Sequence, residues 1–166
     1  MQEQTSASRK PPRGLQRLLW RAPIWLYKLH LGGLLGQRFL LLTHTGRKSG
    51  KPRQAVIEID DYDPQTNSYL IASGFGRQSD WYRNIRKTPQ VMIQVGNRQM
   101  AARAEPLSPE QSGEAMVTYA HKHPTAARNL AKMIGLDVDG SDESYRAAAR
   151  DHVPFVRLHV LSNAEG

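Results

Sequence analysis

Cysteine is absent from all 166 residues. That excludes disulfides, thiolate metal sites and a cysteine nucleophile, and it suits a reducing compartment. Acidic residues are few: 15 Asp plus Glu face 23 Lys plus Arg, for a formal charge of +8 and a pI of about 10.0. Such a surplus favours anionic partners but does not choose among nucleic acid, anionic lipid and phosphorylated small molecules. No uncharged apolar run reaches the roughly 20 residues that a spanning helix needs. Residues 1–14, MQEQTSASRKPPRG, are polar with two adjacent prolines, so they lack the apolar centre of a secretory signal and read as a disordered arm. An intracellular, cytoplasmic protein is expected.

The remaining length suits one domain. From Leu15 to Leu35 the sequence reads as an amphipathic basic helix. Leu15, Leu18, Leu19, Ala22, Trp25, Leu26 and Leu29 recur at helical spacing, while Arg13, Arg17, Arg21 and Lys28 gather on the opposite stripe. Two readings stand: a helix packed on the body of the protein, or one lying on the inner face of an anionic membrane, supported by Trp20, Trp25 and Tyr27 beside the cations.

After Gly36 the pattern becomes extended. Strands are expected at 38–44, 54–60, 68–73, 90–95, 99–105 and 153–161, the first three forming an antiparallel meander, with DYDPQTN (61–67) a turn cluster. Ser79 is placed to cap a short helix, DWYRNIRK. Ser108-Pro109-Glu110-Gln111 offers a capping box for a helix toward His121, followed by helices over 124–134 and from Ser141 to Arg150. The expected class is α+β, about six mainly antiparallel strands in a sheet or barrel with helices at its margins, occupying 36–166.

The chemistry-bearing stretch is THTGRKSGKPR, residues 43–53. It is not a Walker loop, because only three residues separate its glycines and a strand, not a helix, follows. Gly46 and Gly50 allow a backbone nest, to which Arg47, Lys48, Ser49 and Arg53 add anion donors. The competing reading is a solvated basic hairpin loop. A second glycine-bearing segment, Ala72-Ser73-Gly74-Phe75-Gly76, runs into Ser79-Asp80-Trp81-Tyr82-Arg83-Asn84, so that the two could hold a planar ring and its phosphate tail.

Together, FLLLTHTGRKSGKPR, IASGFGRQSDWYRNI and the strand pair QVMIQV and RQMAARA resemble the deazaflavin-dependent nitroreductase family, a branch of the split β-barrel flavin and deazaflavin oxidoreductases. The resemblance covers roughly 34–161. It implies a split β-barrel that binds reduced coenzyme F420 and passes a hydride to a quinone, an activated alkene or a nitroaromatic. On it, Arg47, Lys48, Ser49, Gly50 and Arg53 look like contacts to the phosphate and acidic tail. Ala72, Ser73 and Gly74 would line the ring through backbone groups, with Ser79, Trp81 and Asn84 shaping the floor. Tyr119 is either packing or a catalytic residue of the acceptor pocket. FMN stands as an alternative cofactor.

Bland readings sit beside these. Trp81 on an amphipathic helix is also a core residue, and His121 and His123 lack a third partner for a metal, so no metal is expected. A nucleic-acid partner is not expected, since the cations are dispersed and no reader motif appears. The amphipathic N-terminal helix and the apolar helices after Ser108 point to a lipophilic acceptor or, without catalysis, the N-terminal helix points to a lipid or cofactor carrier, and a homodimer is open.

Overall fold

The computed structural model describes residue 33 and residues 36–162. The polar arm (1–14) and the amphipathic basic helix (15–35) expected above lie outside the described residues, apart from Gly33.

Seven strands form one sheet: β1 (Phe39–Thr45), β2 (Pro52–Glu58), β3 (Asp61–Asp63), β4 (Ser68–Ala72), β5 (Gln90–Val95), β6 (Arg98–Pro106) and β7 (Phe155–Val160). Among the described residues four α-helices accompany them: α1 (Asp80–Lys87), α2 (Pro109–Lys122), α3 (Pro124–Met133) and α4 (Asp142–His152). Every ladder is antiparallel, in the order β2-β1-β5-β6-β7-β4-β3.

That order corrects two expectations. The expected turn cluster is itself partly strand: Asp61–Asp63 pairs with Ser68–Leu70 across the turn at Asn67, whose φ is 48°, which brings the expected six or so strands to seven. Asp63 closes that turn, accepting from Gln65 N–H at 2.9 Å and from Thr66 Oγ1 at 2.9 Å. Nor do the first, second and 68–73 strands form a meander: β4 pairs with β3 and β7, at the far end of the order from β2. β4 is buried along Ser68–Ile71 because both its faces are covered, Tyr69 and Ile71 by the barrel core and Leu70 by the helices.

β2 and β3 stand at opposite ends of the order, yet only Ile59 and Asp60 separate them. So short a link requires the sheet to curl until its two edges meet, as a half-open barrel. Asp60 N–H donates to Leu70 O at 2.9 Å across this seam. Pro52 occupies the first position of edge strand β2, where a missing N–H costs no ladder bond.

The pleat sorts side chains between two cores. Leu40, Leu42, Tyr69, Ile71, Ile93, Val156 and Leu158 fill the barrel interior, which Tyr82 and Ile85 of α1 close. Leu70 and Phe155 point outward and meet Met116, Val117 and Tyr119 of α2, Ala127 of α3 and Tyr145 and Ala149 of α4. Helix α2 begins with the expected capping box, Ser108 Oγ accepting from Gln111 N–H at 3.1 Å while Gln111 Oε1 accepts from Ser108 N–H at 2.9 Å.

Candidate functional site

The β1–β2 loop is a closed turn. Gly46 N–H donates to Lys51 O and Gly50 N–H to Gly46 O, both at 2.8 Å. A β-carbon on Gly46 would stand 2.7 Å from Ser49 Oγ, and Gly50 has φ +67°, so the turn requires both glycines. Lys48, Ser49, Lys51 and Arg53 are exposed on it. Ser49 Oγ accepts from Lys51 N–H at 3.2 Å, leaving its own proton free to donate.

Arg47 is placed differently. Its guanidinium is mostly covered; Nη1 donates to Asp80 Oδ1 at 3.1 Å and to Asn84 Oδ1 at 2.9 Å, and its backbone N–H donates to Asn84 Oδ1 at 3.0 Å. Lys87 Nζ adds a bond to Arg47 O at 2.8 Å. Four bonds thus fasten the loop to α1, and Arg47 neutralises Asp80, which would otherwise repel an anion there.

Asn84 is the pivot. Its Oδ1 serves two donors, so its Nδ2 donates to His44 Nδ1 at 3.1 Å, and that ring nitrogen carries the lone pair. Burial, followed by the nearby Arg53 charge, lowers the His44 pKa from 6.5 to about 4, which keeps the imidazole in this neutral, accepting form. Sequence reading passed over His44, although it shares the inward parity of Leu40 and Leu42 on β1.

The second segment joins the same rim. Ser73 Oγ and Ser79 Oγ lie 2.7 Å apart, and Ser73 Oγ donates to Gly76 O at 2.7 Å. Ser79 occupies the N-cap of α1 without a side-chain cap bond; its hydroxyl is drawn back to Ser73 instead. A β-carbon on Gly74 would meet Leu130 and Ile134 at 3.6 and 3.9 Å, so the end of α3 lies directly over it. Ala72 is half-buried against the helix-side core, and Trp81 is half-buried against the barrel core, edge-on to Tyr82 at 6.0 Å. Arg77 reaches the C-terminal carbonyls of α4, donating to Asp151 O and Arg150 O at 3.1 Å. A continuous chain of contacts therefore runs from the basic loop through Arg47, Asp80 and Asn84 to Ser79 and Ser73.

Tyr119 stands apart from this rim, in the helix-side core. It lines a cleft of about 690 Å³ between α2, α4 and the outer side of the sheet. Burial and the neighbouring Glu58 and Asp60 push its hydroxyl up to about 12. At the barrel seam in the same cleft is Asp60, which sequence reading missed. Its Oδ2 is buried and has no hydrogen-bond partner among the described residues. Burial first, then the charges of Glu58 and Asp61, raise its pKa from 3.8 to about 8. The signal available in the sequence was an acidic residue ending the Ile57/Ile59 alternation. Among the described residues no group of three or more His, Cys, Asp or Glu could hold a metal, and no helix is long and apolar enough to cross a membrane.

The donor set on the rim suits a phosphate-bearing planar cofactor: exposed cations and a hydroxyl on a tight loop, with the adjacent acid already neutralised. The curled antiparallel sheet defines a split β-barrel. Comparison narrows the class: the sequence model of the F420H(2)-dependent quinone reductase family matches residues 23–133, and the chain belongs to that family. It is 34% identical over 73 residues to the F420H(2)-dependent quinone reductase Rv1261c of Mycobacterium tuberculosis, a match covering 42% of this chain and 47% of that protein. The chain thus spans about half the length of the curated relatives it matches. The solved structure of an F420-H2 dependent reductase, FDR-A, has the same fold at a TM-score of 0.51 and 20% identity, covering 75% of this chain and 96% of that one. A pyridoxamine 5'-phosphate oxidase-related, FMN binding protein of Nostoc punctiforme shares it at a TM-score of 0.52 and 16% identity, covering 84% of this chain and 80% of that one.

Proposed function

We propose that this chain binds reduced coenzyme F420 along the rim and reduces a lipophilic acceptor, with a quinone as the leading substrate class and activated alkenes and nitroaromatics as alternatives. The observation that carries the reading is the brace from Arg47 to Asp80 and Asn84. It puts two segments separated by more than 30 residues on one edge and leaves Lys48, Ser49 and Arg53 free above it. When bound, the reduced deazaflavin supplies the hydride.

The chain's own residues bind and orient. Lys48, Ser49 and Arg53 hold the phosphate and acidic tail, with Gly50 allowing close backbone approach. Arg47 and Asn84 fix the loop that presents them. Ala72, Ser73 and Gly74 border the ring, with Ser79 locking Ser73 and Trp81 supporting the floor from the barrel side. Tyr119 belongs to the acceptor side, and its raised pKa keeps it a hydrogen-bond donor. Peripheral attachment to an anionic membrane through residues 15–35 belongs to the same proposal and rests on their amphipathic pattern.

Two measurements test it. Fluorescence titration should show F420 binding at micromolar or lower concentration, and reduced F420 should be oxidised faster with quinones than with enones or nitro compounds. FMN binding in place of F420 would move the protein to the flavin branch of the fold, and binding of neither would overturn the assignment.

A further inference from the structure

The sheet has two faces, and only part of the outer one has a described cover. The interior is filled by the barrel core, and α2, α3 and α4 cover the outer side of β4 and β7 through Leu70 and Phe155. Around the barrel from them, on the outer side of β1 and β5, Leu41 is 5% exposed and Gln94 6%. Leu41 alternates with the inward Leu40 and Leu42, and among the described residues it belongs to neither core. An outer face left to water is normally polar and wet, so burial this deep requires a cover.

The patch suits an apolar one. Phe39 and Val56 flank Leu41 on the same face, and both are half-buried. Gln94 Nε2 donates to Gly96 O at 3.1 Å and its Oε1 accepts from Gln99 Nε2 at 3.3 Å, while Thr43 Oγ1 accepts from Gln54 Nε2 at 3.4 Å. These side chains already have partners within the face, so an apolar surface can lie over them at little polar cost. We propose that this patch is the docking site for the apolar stripe of residues 15–32 of the same chain, and that the stripe cannot lie on the sheet and in a membrane at once.

Position, length and charge select that occupant. Residues 15–32 lie outside the described residues, but the chain that follows them starts at the edge of the patch. A β-carbon on Gly33 would stand 3.6 Å from Asn97 Nδ2, in the turn that joins β5 to β6. Gly36, at φ +61°, donates its N–H to Gly33 O at 3.2 Å and lets the chain reverse there. As a helix, the 18 residues from 15 to 32 would measure about 27 Å, enough to run along the 7 residues of β1, which measure about 24 Å. With Leu18, Leu19, Trp25 and Leu29 against the sheet, Arg17 and Arg21 face outward. The charges favour that orientation, because exposed Arg98 and Arg103 of β6 stand beside the patch.

Only the competition with a membrane rests on the proposed function; the docking does not, so the test omits F420. Trp25 is eight residues before Gly33, about 12 Å of helix, and Met92 is four before Gly96, about 14 Å of strand, so a docked stripe sets Trp25 beside Met92. Met92 is 44% exposed and the chain has no cysteine, so Met92→Cys in the full chain takes a single bimane label, whose emission a neighbouring tryptophan quenches. Trp81 packs on the barrel core and does not face this patch.

The label at Met92→Cys should lose emission relative to one at Glu110→Cys, on α2 across the barrel, and Trp25→Phe should restore it, with folding checked by circular dichroism. Binding to vesicles of phosphatidylglycerol and phosphatidylcholine should restore it as well. Emission unchanged by Trp25→Phe would overturn the docking. So would quenching of the labelled Trp25→Phe chain by added unlabelled wild type, which would make a second copy the occupant. Quenching that persists on vesicle-bound protein would overturn the exclusion between sheet and membrane. Failure to bind vesicles, with quenching intact, would instead count against the membrane part of the proposed function alone.

Discussion

His44 under the rim and Asp60 at the seam are both buried ionisable groups that the fold keeps uncharged, by opposite routes. His44 loses its proton, and the resulting lone pair completes a network through Asn84 to Arg47. Asp60 keeps its proton, and its carboxyl completes nothing among the described residues. The difference separates a group whose neutrality is structural from one whose neutrality leaves chemistry available.

Stability should respond to the two groups with opposite signs. Between about pH 4 and 6.5 the unfolded chain binds a proton at His44 that the folded chain does not, so this term strengthens the fold as pH rises. Between about pH 4 and 8 the folded chain holds a proton at Asp60 that the unfolded chain has released, so this term weakens the fold as pH rises.

The comparison is broken most severely at Asn84. Asn84→Leu strands the Arg47 N–H and the His44 Nδ1 lone pair, so urea unfolding should show a loss of about 3 kcal/mol together with lost F420 binding. A smaller change with binding retained would reduce the brace to ordinary packing. Asp60→Asn removes the ionisation from the other side and should leave the protein about 2 kcal/mol more stable at pH 8. Thermal melts across pH should show that gain shrinking toward pH 4.

Lys48→Ala/Arg53→Ala sharpens the contrast between exposed and buried charge. F420 affinity should fall about tenfold, less at high salt, with the melting temperature nearly unchanged. The smallest expected effect is at Gly50→Ala, where φ of +67° should cost about 1 kcal/mol by thermal unfolding.

What the sequence made legible follows from what is local. The hairpin of β5 and β6, the capping box at Ser108 and the helix DWYRNIRK all depend on neighbours within a few residues, and all are legible in the sequence. Both glycine-bearing segments were recognisable for the same reason. The rest depends on pairings across the chain. β4 carries no mark saying that its partner is β7, almost ninety residues later, so the meander was the natural and wrong expectation. Arg47 reads as an anion donor of its loop, and its bond to Asn84, 37 residues away, comes only with the fold. Asp60 reads as the end of a strand because its place at the seam, where its N–H donates to Leu70 O, depends on the closure of the sheet.

The place of β7 has a consequence for how the molecule is made. It lies between β6 and β4, so the last strand in the described chain joins the four-stranded piece β2-β1-β5-β6 to the two-stranded piece β4-β3. On the ribosome both pieces exist before Phe155 emerges, each with an open backbone edge suited to strand addition by another molecule. Closure by so late and long-range a pairing is slow relative to local hairpins. Nascent chains arrested before residue 155 should therefore be protease-sensitive and prone to aggregate, and release of six more strand residues should convert them to a resistant form.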